Sequence, residues 1–360
     1  MSADIGVRVG SLIPPGQQGQ VAAAVGITAD AMSRAVRGQR GFSAVELVRI
    51  ADHFGTDVHW LITGEADPNR VTVAARHDYD PSTGNRSIPG ARGDSEVIED
   101  IALAYRHVPA EALPKCTLPT DAADARAQLG DSFVRPFIGR VEEIFGISVV
   151  RVAELSTAYG FTVGDHGIIA IPASGNWFRE NWDVAHELGH FVHGHTDTGI
   201  SSETRNLHEW AANDFAAELL MPATVMHTYD WGTMSAATLA ALVWEFGVST
   251  WALGVRLDGL HFPSSPVVEE WRGAPTQRLL RRHWRPTEPG DPITDRMDAA
   301  SARRFPRSVQ DAHLDLIAQG RLGKAMLAWM LGVSADVLEV DQPAAPEPMA
   351  SSELMAALGI

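Results

Sequence analysis

Residues 182–195 read WDVAHELGHFVHGH, a stretch that contains His186, Glu187 and His190 in the order H-E-x-x-H. Residues four apart lie on the same face of a helix, so both imidazoles can bind one metal ion. Glu187 would then reach a water molecule on that ion. Two imidazole ligands and a carboxylate base are the parts of a zinc peptidase. The stretch therefore predicts Zn2+ as the cofactor and Glu187 as the catalytic base.

A second predicted helix supplies the third ligand that a catalytic zinc needs beside an open position for water. Residues 208–221, HEWAANDFAAELLM, form this helix and are followed by Pro222. The segment offers three carboxylates: Glu209, Asp214 and Glu218. We favour Glu209 because it lies near the start of the helix, away from the apolar stripe. Asn213 falls one turn later and can orient a ligating histidine through its free ring nitrogen.

Composition narrows the class of protein. The 360 residues are 45% apolar and 21% charged, as in ordinary globular proteins. The formal net charge of −16 argues against broad, non-specific nucleic-acid binding, although a small DNA-reading module remains compatible with it. The single cysteine, Cys116, fits a reducing compartment. The start, MSADIGVRVG, lacks the features of a signal peptide, and no apolar run is long enough to span a bilayer. We expect a cytoplasmic protein without a membrane partner.

The first 65 residues predict a bundle of short helices separated by glycine turns. Thr28 can cap a helix over 29–37, and Ser43 with Glu46 can form a capping box for the next one. Short helices joined by tight turns indicate a helix-turn-helix domain.

This segment resembles the Cro/repressor-type (XRE) helix-turn-helix family. The matching positions are Gln20, Val21, Ala22, Val25, Gly26, Ser33, Arg37, Gly38, Leu47, Ile50, Ala51, Phe54, Gly55 and Leu61. In that family the helix that corresponds to 28–37 enters the major groove of operator DNA. The resemblance implies base contacts by Thr28, Asp30, Ser33 and Arg34 and phosphate contacts by Arg37 and Arg40. With so few basic residues, binding would be weak or depend on a homodimer. The alternative is a helical module that docks onto protein alone.

The middle of the chain predicts a linker, helices and a small sheet. Residues 66–95 are rich in glycine, proline and serine, which indicates a linker. The segment 122–145 has helical periodicity and is kinked or divided at Pro136. Three β-rich runs, 147–152, 159–163 and 167–171, predict a small antiparallel sheet just before the metal helix. We expect 167–171 to be the edge strand that holds an extended peptide.

The rest of the chain predicts further helices. Residues 235–257 form a two-helix unit that we interpret as a packing or substrate-docking element. Residues 271–285 are locally basic and 286–297 are proline-rich and loop-like. The predicted organisation is a helix-turn-helix domain over 1–65, a linker over 66–95, a metallopeptidase domain over 96–262 and a C-terminal helical region over 263–360.

The two metal-site segments together resemble the ImmA/IrrE family of metallopeptidases. The resemblance rests on DVAHELGHFVHGH and on the pattern E-x-x-A-N-x-F-A-A-E-L-L-M-P that begins at Glu209, and it covers about 130–262. It implies that His186, His190 and Glu209 bind zinc and that Glu187 is the base. His193 also matches, but its spacing from His190 puts it off the ligand line, so we expect it to support a ligand or the helix.

The resemblance also implies a fold and a function. The expected fold is α+β, mainly α, with a thermolysin-like zincin core, an antiparallel sheet and C-terminal helices. The implied function is a zinc-dependent endopeptidase that cleaves or inactivates a helix-turn-helix repressor, which regulates transcription of stress or mobile-element genes. The alternative is a DNA-binding transcriptional regulator whose zinc site is sensory or vestigial, and a toxin or antitoxin role is a third reading. For the group that stabilises the oxyanion, Tyr159, Arg205 and His208 are the candidates.

Overall fold

The computed structural model describes residues 2–54, 56–65, 71–75, 78–80, 85–87, 91–195, 201–286 and 289–343. It divides the chain into two compact units, Met1–Arg70 and Val71–Ile360.

The first unit is a small helical bundle. Its described helices are α1 (Ser2–Leu12), α2 (Gln18–Ala24), α3 (Ala29–Val36), α4 (Ala44–Phe54) and α5 (Val58–Thr63). The predicted caps are present. The backbone N–H of Ala31 donates to Thr28 Oγ1 at 3.2 Å at the start of α3. Before α4, the Ser43 N–H donates to Glu46 Oε2 at 2.8 Å and the Glu46 N–H donates to Ser43 Oγ at 3.3 Å, which is a complete capping box.

Helix α1 was not predicted from the sequence, although it ties the bundle together. A Cβ built on Gly6 would lie 2.6 Å from the carbonyl oxygen of Ala35, so only glycine allows α1 to approach α3 this closely. Arg8 donates from Nε to the Leu61 carbonyl oxygen at 2.9 Å and from Nη2 to that of Ile62 at 2.7 Å. These bonds satisfy carbonyls at the end of α5 that a helix leaves without partners. Prolines 14 and 15 follow the end of α1 rather than interrupting a helix.

The second unit begins with strands and helices that lead up to the metal helix. They are β1 (Val71–Ala75), β2 (Asp78–Asp80), β3 (Asn85–Ser87), α6 (Ala91–Arg106), α7 (Ala122–Leu129), α8 (Phe137–Phe145), β4 (Ser148–Val152), β5 (Tyr159–Val163) and β6 (His166–Pro172). The helices that follow are α9 (Trp177–Val192), α10 (Ser202–Leu220), α11 (Ala223–Met226), α12 (Ala236–Phe246), α13 (Thr250–Gly259), α14 (Pro266–Arg272), α15 (Thr276–His283), α16 (Pro292–Ser301), α17 (Arg307–Ala318) and α18 (Ala325–Leu331). The prediction of an α+β fold that is mainly α is confirmed.

The sheet is mixed, so the prediction of a purely antiparallel sheet was wrong. Its strand order is β1-β5-β6-β4, with β4 and β6 parallel and the other two pairs antiparallel. The reason is the short β5–β6 hairpin, which returns the chain in the direction of β4 and places β6 beside it. Strand β6 is therefore an interior strand, and the expectation that 167–171 is an edge was also wrong. The edges are β1 and β4.

Regular structure is present in two segments that were predicted to be a linker and a loop. The predicted linker, 66–95, includes β1, which pairs with β5 in the main sheet, and the first turn of α6. The proline-rich segment 286–297 includes the start of α16. There Pro292 occupies the first turn, where its missing N–H costs no hydrogen bond, and the Asp291 side chain accepts from the Thr294 N–H at 3.2 Å. The helices of 263–343 thus belong to the same compact unit as the sheet.

The two faces of the sheet bury two different hydrophobic cores, because strand side chains alternate between faces. Val149, Ile169 and Ile171 face the core that includes α9, α10 and α12. Val150 and Phe161 face the other core, which includes α6 and α17. The metal helix α9 therefore lies against one face of the sheet only.

Within the described residues, no single helix is both long and apolar enough to cross a membrane. One pair, α12 with α13, reaches that length and composition jointly but is bent by 93°.

A buried histidine links α6 and α17. His313 is fully buried, and its Nε2 donates to the carbonyl oxygen of Ala104 at 2.8 Å. Burial, which removes water from the charged form, lowers the pKa of this imidazole below 6.5, and nearby His107 lowers it further. The pKa of buried His166 is lowered for the same main reason.

These histidines predict that the folded chain loses stability below about pH 6.5. In that range an unfolded histidine binds a proton that the folded one resists, so protonation favours unfolding. Thermal unfolding between about pH 7.5 and 5.5 should show a smaller pH dependence for His313→Gln, which keeps an N–H donor, than for wild type. His227→Gln is the matched control because His227 is exposed. An equal pH dependence in all three proteins would contradict this role of His313.

Candidate metal centre

Helices α9 and α10 bring together the three predicted ligands. His186 and His190 lie one turn apart on α9, and Glu209 lies on α10 opposite them. The Nε2 atoms of His186 and His190 are 3.1 Å apart. Glu209 Oε2 is 3.7 Å from His186 Nε2, and Oε1 is 3.6 Å from His190 Nε2. All three side chains are at most 2% exposed.

These distances fit a tetrahedral metal ion. With metal–ligand bonds of about 2.0–2.2 Å, tetrahedral ligand atoms lie about 3.3–3.6 Å from one another. The measured separations of 3.1, 3.6 and 3.7 Å are close to this range, with each imidazole nearest to a different oxygen of Glu209. The donor set of two imidazoles and one carboxylate is also the type found in catalytic zinc sites with one open position.

Asn213 fixes the proton positions on His186. Its Nδ2 donates to the Glu209 carbonyl oxygen at 2.8 Å, which leaves its Oδ1 as an acceptor 3.2 Å from His186 Nδ1. The His186 Nδ1–H therefore donates to Asn213, and Nε2 presents a lone pair to the cluster. The lone pair on His186 Nε2 faces the His190 imidazole and the buried Glu209 carboxylate, and a cation between these groups would stabilise it. The hydrogen bonding of Asn213 therefore supports metal binding independently of the ligand–ligand distances.

Glu187 lies beside the cluster, fully buried against the sheet. A Cβ built on Gly160 of β5 would lie 2.9 Å from Glu187 Oε2, so glycine at this position makes room for the carboxylate. Burial in a region of low dielectric strengthens the interaction of this carboxylate with any charge that forms next to it. A buried carboxylate that directly follows the ligand His186 on α9 can accept a proton from a water molecule that a bound metal ion would polarise.

Gly189 allows α10 to approach α9. A Cβ at this position would lie 3.1 Å from Phe215 Cβ and 3.2 Å from Ala212 Cα, both on α10. The sequence segment HELGH thus contains both the ligands and the residue that lets the second helix supply Glu209.

The alternative carboxylates occupy other places. Glu218 pairs with Arg256 and accepts the Ala223 N–H at 3.2 Å, which caps the short helix after Pro222. Asp214 is exposed. Neither belongs to the cluster of possible metal ligands within the described residues.

A group of histidines lies behind His190, and one of them, His195, was given no role by the sequence analysis. His195 Nδ1 is 3.2 Å from His190 Nδ1, and the His195 ring stacks on His208 with centroids 3.8 Å apart. The chain turns back at Gly194, which has φ +64°, and this turn brings His195 to the ligand. His193 is exposed, and its ring faces His195 and Phe215 rather than the cluster. In the sequence, the repeated histidines of HGH (193–195) were the only sign of this group.

The candidates for oxyanion stabilisation separate by position. The Tyr159 hydroxyl donates to Asp94 Oδ2 at 2.6 Å, and the side chain belongs to the core on the far side of the sheet from α9. Burial and the bond to Asp94 raise the pKa of this phenol. The hypothesis that Tyr159 stabilises the oxyanion is therefore wrong, because side chains of β5 alternate between faces and Tyr159 points away from the metal helix. His208 lies next to Glu209, and Arg205 lies one turn before it on α10.

A cavity of about 300 Å³ opens beside Asn213. Its walls are mostly apolar and include Phe178 and Trp182 from α9 and Trp251 and Val255 from α13. Trp251 is 63% exposed, which is unusual for so large an apolar side chain. The cavity touches the residue that orients His186, and sequence reasoning missed its aromatic walls because it assigned 235–257 as a whole to packing or docking.

The predicted DNA-contacting residues lie on and after α3 of the first unit. Thr28, Arg34 and Arg37 are exposed and Ser33 is half-buried. Their charges are partly engaged within the unit. Arg34 pairs with Asp30 at 3.1 Å, and Arg37 Nη2 donates to Ser33 Oγ at 3.0 Å.

Arg40 departs most from its expected role, because it pairs with Glu46 of the capping box. A phosphate contact by Arg40 would have to compete with this ion pair.

Comparison with protein families matches residues 142–258 to Peptidase_M78, described as an IrrE N-terminal-like domain. The matched segment runs from the end of α8 to α13 and contains Glu187 and the three cluster residues. It supports a metallopeptidase of the ImmA/IrrE type. Neither the curated proteins nor the solved structures gave a match.

The geometry predicts how zinc affinity responds to single substitutions. Glu209→Gln should abolish tight binding, because it removes the anionic ligand from the cluster. Asn213→Ala should weaken binding by about 10–100-fold, because His186 loses its orienting acceptor. Glu218→Gln is the matched control on the same helix and should leave the affinity unchanged. Competition with a chromophoric chelator measures all three. A loss with Glu218→Gln and none with Glu209→Gln would contradict the ligand assignment.

Proposed function

We propose that the chain is a zinc-dependent endopeptidase that cleaves or inactivates a repressor-type helix-turn-helix protein. The observation that carries the proposal is the buried Glu187 carboxylate beside a cluster of two imidazoles and a carboxylate that fits zinc. A metal site that is only structural needs no such carboxylate. The match to an IrrE N-terminal-like domain supports the same class of activity.

The residues of the chain divide the work of hydrolysis. Zinc, when bound, would supply a Lewis acid that polarises the peptide carbonyl and makes water a stronger nucleophile at neutral pH. His186, His190 and Glu209 hold the ion, and Asn213 keeps the His186 ring in place. Glu187 accepts a proton at its carboxylate as the water oxygen bonds to the carbonyl carbon. It then returns that proton to the amide nitrogen as the C–N bond breaks, which leaves a carboxylate and an amine.

The substrate side of the site is proposed to include the cavity beside Asn213. Trp182, Trp251 and Val255 offer an apolar wall to a substrate side chain close to the ligands. Because Glu187 and the ligands are almost fully buried, a peptide reaches them only after local displacement of the surrounding chain. This requirement suits an enzyme that acts on one partner rather than on unfolded protein in general.

The first unit is proposed to bring the enzyme to its target. Its α2–turn–α3 order and exposed Thr28 and Arg34 suit docking onto operator DNA or onto a related repressor. The ion pairs of Arg34 with Asp30 and of Arg40 with Glu46 reduce the positive charge that is available for phosphates and so favour the protein partner. The proposed consequence is relief of repression, as in a stress response. Glu187 favours this reading over a regulator whose zinc site only senses the metal.

Glu187→Gln is expected to separate catalysis from metal binding. The amide keeps the shape of the side chain but cannot accept the proton, so cleavage should fall by at least about 10²-fold while zinc binding persists. A proteome-derived peptide library is digested with the zinc-loaded full chain. Mass spectrometry then detects the new peptide termini, which are the readout. Candidate helix-turn-helix repressors are tested in parallel as intact proteins.

Glu218→Gln serves again as the matched control and should retain full cleavage. If wild type and Glu187→Gln produce the same termini, the peptidase proposal fails. If wild type with bound zinc cleaves neither the library nor a repressor, the sensory alternative replaces it.

A further inference from the structure

A second cavity of about 300 Å³ lies on another side of the first half of α9, between β4, α8 and α16. Four guanidinium groups line it, from Arg135, Arg151, Arg296 and Arg304. The lining contains one carboxylate, Glu180. Such a concentration of positive charge is notable in a chain with a net charge of −16.

Three of these arginines have a carboxylate partner. Arg151 donates to both oxygens of Glu180, at 2.7 and 2.8 Å. Arg304 pairs with Glu142, and Arg135 lies 3.4 Å from a carboxylate oxygen of Glu245. The pairs of Arg151 with Glu180 and of Arg304 with Glu142 neutralise those two guanidinium groups. The Arg135 side chain is 55% exposed, so its contact with Glu245 is screened by solvent and leaves most of its charge available.

Arg296 is the exception. Its Nη2 donates to the carbonyl oxygen of Val134 at 2.9 Å, and its guanidinium carbon lies 3.9 Å from the ring centroid of Trp177. Within the described part of the chain it forms no ion pair with a carboxylate, and its buried Nη1 has no hydrogen-bond acceptor. Burial and, second, the charge of Arg135 lower the pKa of this guanidinium to about 10, while the Glu180 carboxylate acts in the opposite direction.

We propose that this cavity binds a small oxyanion of the phosphate or carboxylate class, with Arg296 and Arg135 supplying the positive charge. A buried charge is ordinarily paired, and an oxyanion is the partner that a guanidinium binds most strongly. The cavity has room for such a group. Inorganic phosphate, a phosphorylated small molecule and a small carboxylate share this chemistry.

The site adjoins the metal helix without including any metal ligand. Trp177, Glu180 and Asn181 of α9 line the cavity, and His186 follows Glu180 by six positions on the same helix. An anion that neutralises Arg296 therefore stabilises the part of α9 on which the metal centre is built. This site is independent of the proposed peptidase activity, because neither Glu187 nor any residue of the metal cluster lines the cavity.

The alternative is that cation–π contacts with Trp177 and, at 5.1 Å, with Trp244 compensate Arg296 and hold α16 against its neighbours. In that case no anion is needed, and substitution of Arg296 would change stability equally in every buffer. The two readings differ in their response to added anions.

The test is thermal unfolding of the full chain as a function of inorganic phosphate, with sodium chloride at matched ionic strength as the reference. Citrate and sulfate form two further arms that distinguish a carboxylate from a phosphate preference. Each series is run on zinc-free and on zinc-loaded protein, so that phosphate binding at the metal is recognised by its dependence on zinc. We expect a saturable rise of roughly 2–4 °C with phosphate over chloride in both forms.

Three variants complete the experiment. Arg296→Met should abolish the saturable rise, and Arg135→Met, at an exposed position with lower risk to folding, should raise the half-saturating concentration several-fold. Arg307→Met is the matched control, since the Arg307 side chain is 92% exposed, and it should respond like wild type.

No difference between phosphate, citrate, sulfate and chloride in wild type would overturn the proposal. An undiminished response in both Arg296→Met and Arg135→Met would overturn it as well. The proposed peptidase function is tested by the cleavage assays alone. Their outcome does not change the interpretation of the anion-dependent rise in unfolding temperature.

Discussion

The close contact of α9 with α10 at Gly189 is the constraint on which the metal centre depends. It sets the distance at which Glu209 faces the two imidazoles, because a side chain at this position would meet Phe215 and the backbone of Ala212. The two imidazole Nε2 atoms then lie 3.1 Å apart, and each lies 3.6–3.7 Å from one oxygen of the Glu209 carboxylate. A longer distance between the helices would leave a pair of histidines without a carboxylate, which is a weaker site of a different type.

The sheet supplies the second boundary of the centre. Gly160 of β5 receives the Glu187 carboxylate, while neighbouring Tyr159 points through the sheet to Asp94. Side chains of β5 alternate between the two faces of the sheet. Gly160 therefore faces Glu187, whereas Tyr159 faces a hydrogen-bond network around Asp94 that stabilises the fold. Asp94 also accepts the Ser156 N–H at 2.9 Å, so the start of α6 fixes the loop before β5. The position of Glu187 therefore depends on residues far from it in the sequence.

Local patterns predicted most of the helices and the grouping of His186, His190 and Glu209. The i, i+4 spacing of His186 and His190, the placement of Glu209 and the capping box at Ser43 all depend on residues within one or two helical turns. The order of the strands did not follow from local pattern, because pairing of β1 with β5 joins residues about 90 positions apart. Asp94 and Arg296 were missed for a related reason: both lie in segments whose glycine or proline content suggested loops, and only tertiary contacts reveal what they do.

X-ray absorption spectroscopy of the zinc-loaded full chain tests the ligand set most directly. The account predicts two imidazole nitrogens, one carboxylate oxygen and one further light atom at about 2.0–2.2 Å, with no sulfur near about 2.3 Å. A third imidazole, from His195 or His208, or a thiolate from Cys116 would contradict the arrangement of His186, His190 and Glu209 around one ion.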